Sequence, residues 1–544
     1  MNNIHPPRSD RLARLCIFAA LSGSGLGLLL TDLSTAGKPL LSQMATNVIA
    51  LMYDDGFYYL EIARNLSLGL GSSFDGIHAT NGYHPLWLLC CRLLFVFWAD
   101  PEAVLVAGFL LQNFLFAGSG VCVFAAARRW AGLPASLLAT LFWCFPFLVY
   151  RLPFSGLEFS LQCFLVCLTC LYFLRVRQIP TGLTAKHGIL LGSACGLCFL
   201  TRIDYGPMGI ILWATLVGQE KGPLIKRLTA AAPLAFLQPW LLCVAVYAAK
   251  NLIAFGALLP VSGAVKHHWS QHWLALDPIM VRHGWVAAKL NLLGWPLKHM
   301  HPLYAAAMYL GAGASLAAIP DYPRGFAFSP APLRPWACFA VVHLGAFFLY
   351  YHQAYSFQPW YHLMIFWVGA MTLAAGCAHL SKRLGPSRGS IFKACLWVML
   401  TAACAWGAKA CIHMRLHQRS FPQTEVIYRG ALWAAENLPP DARIGSWNAG
   451  MIAFLSQRTV INLDGLVNDR RFFERDRHDL CTYLKENRID YLMDVFDTGA
   501  AFPPQSAIPG IDLSPCGREF QLLWSGPLYP QSQRGIAVYS FTAP

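Results

Sequence analysis

Charge is the scarcest ingredient of this 544-residue sequence: Asp, Glu, Lys and Arg make up only 12%, against 56% hydrophobic residues and a mean hydropathy of +0.45. A chain this long and this apolar is not a water-soluble protein, so the composition implies a polytopic membrane protein. The net charge of +14 does not imply nucleic acid, because Lys and Arg fall mostly in short loops between apolar runs, where they set topology. A small-residue cleavage site is missing after the apolar run 15–30, which follows Arg8, Arg11 and Arg14, so the run reads as an uncleaved first span with a cytoplasmic amino terminus. Internal repeats and low-complexity tracts are absent, and GSWNAG (445–450) lacks the Lys-Ser/Thr ending of a P-loop.

Cysteine is present in number, 18 residues, but mostly inside apolar segments, as with Cys163, Cys167, Cys170 and Cys243, where it acts as a small hydrophobe. Cys195 and Cys198 have C-x-x-C spacing inside a predicted span, which favours packing over redox or zinc chemistry. Only Cys481 and Cys516 lie in a clearly soluble region, and they form one disulfide if that region faces an oxidising compartment.

Hydropathy places further spans near 101–127, 133–150, 157–174, 187–201, 206–218, 229–249, 301–319, 336–352, 360–380 and 393–411, roughly eleven with the first. The run 85–98 is short for a crossing. Read as a juxtamembrane helix, it leaves Arg128, Arg129, Arg175, Arg177, Lys186, Lys221, Lys226, Arg227, Lys382, Arg383, Arg388 and Lys393 together on the cytoplasmic side. The short runs 187–201 and 206–218 read as tilted, partly re-entrant, or joined through the hinge 201–204. The outer side then collects the first loop, 31–100, together with 151–158, Arg202 and Asp204, 250–300 and 353–362. In 250–300, Pro260 and Gly263 are expected to prevent a regular helix around the cluster Lys266, His267 and His268.

From about residue 412 charge rises and short alternating patterns begin. Helices at 424–437, 450–456 and 470–487 and strands at 442–447, 459–463, 489–495, 520–525 and 535–542 imply an extracytoplasmic α/β domain of about 130 residues, 412–544, after a membrane domain 1–411.

The chemistry concentrates in 53–87, YDDGFYYLEIARNLSLGLGSSFDGIHATNGYHPLW. A helix started at Asp54 puts Asp54, Tyr58, Glu61 and Asn65 on one polar stripe and Tyr59, Ile62, Ala63 and Leu66 opposite, as if lying on a membrane surface. Gly69, Gly71, Gly76 and Gly82 then open a loop carrying Asp75, His78, Asn81 and His84. Each candidate has a plain structural alternative. Asp54 or Asp55 suits a helix N-cap, but a cap needs one acid and the two point about 100° apart. An acid at the bilayer edge suits a general base. Glu158 is a second cap candidate, and a buried acid at that depth needs a partner. Arg202 either pairs with Asp204 or meets a phosphate. Lys266, His267 and His268 are interfacial anchors or a lipid-phosphate site. His78 and His84, with Asp55 or Asp75, are weak candidates for a divalent metal, since no standard ligand spacing supports them. Tyr58, Tyr59, Tyr83, Trp87, Trp360 and Tyr361 form an aromatic belt or stack on a sugar.

The acidic pair after the first span, followed by FYYLEIARNL, a Gly-rich loop with FDG, and TNGYHPLW, resembles the first outer loop of GT-C superfamily glycosyltransferases. The nearest likeness is to the bacterial branch related to protein O-mannosyltransferases and aminoarabinose transferases. SGLE (155–158), NLIAFGALLPVSGAVK (251–266) and ARIGSWNAGMIAFLSQRTVINLDGLVND (442–469) extend it over nearly the whole chain. The resemblance implies a polyprenyl-phosphate-linked sugar donor, a first-loop acid as base, and Glu158 as the acid at the outer end of a later span. This chain departs from relatives with an Asp-Glu pair by having Asp54-Asp55. The expectation is then inverting transfer to an acceptor hydroxyl on a glycan, lipid or protein at the extracytoplasmic face. Asp54 would be the base and Asp55 would position the loop or a metal. Lys266, His268 and Arg202 would hold the phosphate, with Glu158, His84, Asn81 and Tyr58 around the donor. A transporter or flippase would place its charges nearer the bilayer midplane, and a noncatalytic scaffold leaves the polar first loop unexplained.

Overall fold

The computed structural model describes residues 7–30, 39–149, 151–179, 182–276, 282, 331–350, 359–417, 422–497, 516, 520–528 and 534–541. The span expected at 301–319 lies outside them, as do 351–352 of the span expected at 336–352 and 31–38, 277–281, 283–300 and 353–358 of the predicted outer stretches. The helices are α1 (Arg8–Leu29), α2 (Leu40–Ile49), α3 (Asp54–Ser67), α4 (Pro85–Phe97), α5 (Pro101–Ala127), α6 (Leu133–Val149), α7 (Phe159–Val176), α8 (Ala185–Thr201), α9 (Gly206–Gln219), α10 (Leu224–Leu228), α11 (Ala231–Phe255), α12 (Val261–Leu276), α13 (Arg334–Tyr350), α14 (Leu363–Arg383) and α15 (Gly385–His417). A C-terminal unit then sets α16 (Pro422–Asn437) and α17 (Ala449–Ser456) beside five strands. Among the described residues, five helices are long and apolar enough to cross a membrane: Arg8–Leu29, Pro101–Ala127, Phe159–Val176, Ala231–Phe255 and Trp360–Arg383. Shorter apolar helices fill in between them, α8 and α13 among these.

α1 packs along α5, and the two run in opposite directions. Asp10 in the first turn of α1 accepts a hydrogen bond of 3.0 Å from Arg128, just past the end of α5. Near the other end, Asn113 of α5 donates to the Ser22 carbonyl at 2.9 Å. The start of α1 and the end of α5 therefore share one end of the bundle, so α4 does not add a crossing. At 13 residues it is also too short for one. Asp100 caps α5 and Pro101 opens it, which suits the position where a backbone N–H has no helical partner.

α8 and α11 pack backbone to backbone. Gly188, Gly192 and Gly196, spaced by four, form one bare stripe of α8; a Cβ there would run into the carbonyls of Ala232 and Phe236 and stand 2.6 Å from the Cys243 sulfur. The two helices are parallel, so both C-termini reach the same end of the bundle.

Two local expectations fail for identifiable reasons. Pro260 does not break a helix; it immediately precedes α12, a favourable place for a residue with no N–H, and Lys266, His267 and His268 lie on a regular helix. The single helix expected at 470–487 is divided into Arg470–Glu474, a 3-10 turn at Asp476–Asp479 and Leu480–Glu486. The two helical pieces start on their own caps, with Asp469 accepting from the Phe472 N–H at 2.7 Å and Asp479 from Thr482 at 3.1 Å.

The strands β1 (Arg443–Ser446), β2 (Thr459–Asn462), β3 (Tyr491–Asp497), β4 (Phe520–Leu528) and β5 (Arg534–Phe541) form one sheet in the order β2-β1-β3-β5-β4. β1 pairs in parallel with β2 and β3, and β5 runs antiparallel between β3 and β4. Cys481 and Cys516 are joined by a disulfide with their Cα atoms 5.7 Å apart. α3 does not lie open on a surface. It is enclosed between the C-terminal unit on one side and the 151–158 loop and α4 on the other, and Phe57, Ile62 and Ala63 are completely covered.

Candidate active site

The polar stripe read from the α3 sequence exists, but it faces protein. Asp54 accepts hydrogen bonds from the N–H groups of Gly450 at 3.1 Å and Met451 at 2.8 Å, in the first turn of α17. Glu61 pairs with Arg64 at 2.6 Å, and Arg64 donates to the Phe454 carbonyl at 3.3 Å. Asn65 donates to the carbonyls of Ser73 and Phe74, closing the glycine-rich loop onto the helix. The stripe is therefore the seat of the C-terminal unit. Burial pushes the Asp54 carboxyl up to about 7, against the two amides that favour its ionised form.

Asp55, turned about 100° from its neighbour, lines a cavity of about 320 Å³ instead. Tyr58, Tyr59, His84, Glu158, Arg202, Asp204 and Lys266 share its walls, with Trp360, Tyr361, Tyr350 and Phe347 as the aromatic side. Lys266 is held charged there: burial lowers its pKa, but the attraction of Asp55 and other anionic groups raises it further. A 320 Å³ chamber with three carboxylates, two cations and several rings falls in the size range of small-molecule sites.

One wall is a continuous charge network. Arg202 donates to Glu158 at 2.5 Å and to Asp204 at 3.1 Å, and its guanidinium lies over the Tyr361 ring. Tyr59 donates to the second oxygen of Glu158 at 2.9 Å and accepts from the backbone N–H of His84 at 3.3 Å. His84 also approaches Glu158, at 3.7 Å, and His343 from α13 reaches Asp204 at 2.8 Å. Glu158 immediately precedes α7 without capping it. Its oxygens are committed to this network, so the cap reading fails. Arg202 pairs with Asp204, as one sequence reading required, and also forms part of the cavity wall.

The expected residues therefore divide. Asp55, Tyr58, His84, Glu158, Arg202 and Lys266 come together. Asp54 does not line the cavity, because α17 occupies both its oxygens. His268, two residues along α12 from the inward-facing Lys266, sets its ring against Phe473 at 6.1 Å. Asn81 accepts the Val261 N–H at 2.9 Å and donates to Asn251 at 3.0 Å, so it ties the α11–α12 turn to the first loop. His78 binds Asp75 at 2.6 Å and faces Tyr483 of the C-terminal unit, away from Asp55 and His84. Among the described residues no three His, Cys, Asp or Glu side chains converge in a way that could hold a metal.

Three acids or imidazoles belong to this region without having been singled out for it. Asp464, in the loop after β2, caps the Leu466 N–H at 2.7 Å and lies 3.4 Å from the Tyr58 hydroxyl; burial raises its pKa. Asp494, also raised by burial, accepts from Trp447 at 2.6 Å and Asn448 at 2.8 Å, pinning the turn before α17 to β3. His343 is the third. The available signal was a lone polar residue inside an apolar run, visible for Asp494 in YLMDVFD and for His343 in CFAVVHLGAFF.

Residues 416–539 match the family described as Domain of unknown function (DUF8728). No curated protein matches the chain by sequence. Among solved structures, the chain is similar to ArnT from Cupriavidus metallidurans bound to undecaprenyl phosphate, with 14% identity and a TM-score of 0.50, over 93% of this chain and 98% of that one. It is also similar to the archaeal oligosaccharyltransferase AglB from Archaeoglobus fulgidus in complex with an inhibitory peptide and a dolichol-phosphate. There the identity is 12% and the TM-score 0.52, over 89% of this chain and 69% of that one. Together with the bundle, the enclosed helix after the first span and the small C-terminal sheet, these likenesses give the chain the fold of the GT-C membrane glycosyltransferases.

Proposed function

We propose that the protein transfers a sugar from a polyprenyl-phosphate-linked donor to an acceptor hydroxyl at the extracytoplasmic face, with Asp55 as the general base. The observation that carries this reading is the meeting of Asp55 with Lys266 and Arg202 in one cavity. Undecaprenyl phosphate in one structural neighbour and a dolichol-phosphate in another support a lipid-linked donor. The acceptor oxygen attacks the anomeric carbon, its proton passes to Asp55, and the bond from that carbon to the phosphate oxygen breaks. A single displacement of this kind inverts the configuration. The phosphate leaves as an anion and needs no proton. Lys266, which shares the cavity with the base and is attracted most strongly by it, is the cation available to it, while Arg202, fixed between Glu158 and Asp204, supplies a preorganised wall. In this arrangement the amino terminus is cytoplasmic and the domain 412–544 stands outside, over the membrane domain 1–411.

The test is transfer by purified protein in lipid vesicles from a panel of radiolabelled polyprenyl-phosphate sugars, with and without chelator. One donor should support transfer, Asp55→Asn should abolish it, and Lys266→Met should raise the donor KM and lower kcat. Retained configuration in the product would exclude the single displacement. Translocation of the lipid-linked sugar without transfer would assign the cavity to transport.

A further inference from the structure

We propose that Asp54 is a positioning residue through which the C-terminal unit holds the neighbouring Asp55 at the cavity, an inference that rests on Asp55 being the base. The first turn of α3 is gripped from two sides. On one side, the Asp54 carboxylate takes the N–H groups of Gly450 and Met451 at 3.1 and 2.8 Å. These are amides of a helix first turn, which have no partner inside the helix and carry its positive pole. Gly450 permits the approach because it lacks a side chain: a Cβ there would overlap the Asp54 carbonyl and stand 3.0 Å from the Tyr58 ring.

On the other side, the Tyr53 N–H donates to the Ser155 carbonyl at 3.0 Å. A Cβ on Gly56 would come within 2.6 Å of that same oxygen and 2.9 Å of the Gly156 Cα. Residues 53–56 thus sit between the loop that carries Glu158 and the helix that belongs to the sheet. α17 is anchored in turn. Asp494 on β3 receives the N–H groups of Trp447 and Asn448, the Ser446 hydroxyl at 3.1 Å and the Asn448 side-chain amide at 2.7 Å. A chain of carboxylate contacts therefore runs from the sheet through Asp494, the 446–448 turn and α17 to Asp54, and the next residue is the one facing the cavity. The domain that matches a family of unknown function thereby acts on the chemistry by fixing where its base stands.

The experiment uses the full-length protein in lipid vesicles with three readouts: kcat and KM for transfer, binding of undecaprenyl phosphate, and hydrogen exchange at the Gly450 and Met451 amides. Asp54→Ala should lower kcat about 100-fold, the scale of an ångström-sized misplacement of a reacting group. KM and undecaprenyl phosphate binding should stay within about threefold. The two amides should lose protection. Gly450→Ala should reproduce the kcat loss with Asp54 intact, and Asp54→Asn, which keeps one acceptor oxygen but turns its NH2 toward the other N–H, should recover only part of it. Unprotected Gly450 and Met451 amides in the native protein would overturn the clamp itself. Native kcat in Asp54→Ala with the amides exposed would overturn the positioning role. A raised acceptor KM at unchanged kcat would overturn it too, and make the unit an acceptor-binding module. Native kcat in Asp55→Asn would instead remove the base assignment, while the amide protection would still report whether the clamp exists.

Discussion

Arg202 gives the sharpest test of the cavity wall. It is buried between two carboxylates, 2.5 Å from Glu158 and 3.1 Å from Asp204, and its guanidinium contacts them both. Replacing it by Met keeps much of its volume but leaves two anions in a dry wall. Tyr59, His84 and His343 remain as their partners. Breaking one buried pair by removing a single partner costs about 3–5 kcal/mol. At roughly 1.4 kcal/mol per factor of ten, Arg202→Met should lose its folded form at fixed temperature on the order of 100 times faster than the native protein, if most of the cost falls on unfolding. Glu158→Gln alone should cost less, because Gln still accepts from Tyr59. The double variant should be better than the sum of the two by about 1–3 kcal/mol, since removing the charge relieves the anion that Met strands. The assay is the decay of the monodisperse size-exclusion peak in detergent during heating, for the native protein, both single variants and the double. Arg202→Met with native lifetime, or strict additivity across the four proteins, would refute the reasoning.

Three further outcomes follow from the same geometry. Burial raises the pKa of Asp54 to about 7 and also lifts Asp464 and Asp494, so in the folded protein their charged forms are the unfavourable ones; their stabilising contribution is present below the ordinary carboxylate range and is lost as pH rises through about 7. Heat-inactivation lifetimes should therefore shorten from pH 5.5 to pH 8, with a shallower slope in Asp54→Asn; lifetimes that lengthen with pH would contradict it. Converting Cys481 and Cys516 to Ser opens a crosslink across 35 residues and should cost the C-terminal unit about 3–4 kcal/mol, read as a lower denaturant midpoint for hydrogen-exchange protection of its strands. Tyr59→Phe removes the hydroxyl bridging Glu158 and His84 and should cost about 1–3 kcal/mol of stability, with reduced transfer; native values of both would show that the bridge is dispensable.

The long apolar helices and the strands of the C-terminal unit were legible because both are written in local periodicity. The apolar run 101–127 is α5, and the pattern in 459–463 is β2. The angle between Asp54 and Asp55 was legible too, but a helical wheel does not say what stands on each side. The resemblance puts the base at Asp54, on the polar stripe, whereas α17, about 400 residues away in sequence, fills that stripe, and Asp55, turned away from it, is the one of the two that lines the cavity. Asp464 and Asp494 escaped notice for the same reason: what makes them unusual is burial between segments that no local pattern connects. Lys266 and His268 looked equivalent as parts of a cationic cluster, yet two residues along α12 amount to about 200° of rotation, enough to put one in the cavity and the other against Phe473.

The bare glycine stripe between α8 and α11 bears on the cavity from a distance. α8 ends at Thr201, immediately before Arg202, and α11 leads through the turn held by Asn81 into α12 and Lys266. Because the helices are parallel and touch through backbone, neither can slide or roll against the other without collision. Gly188, Gly192 and Gly196 thereby act as a ruler for the spacing of the two cations, with Gly188 roughly 20 Å along α8 from Arg202 at a rise of about 1.5 Å per residue. A change of charge spacing at one end of the bundle can thus arise from a methyl group added far away, at a position with no polar atom and no view of the cavity.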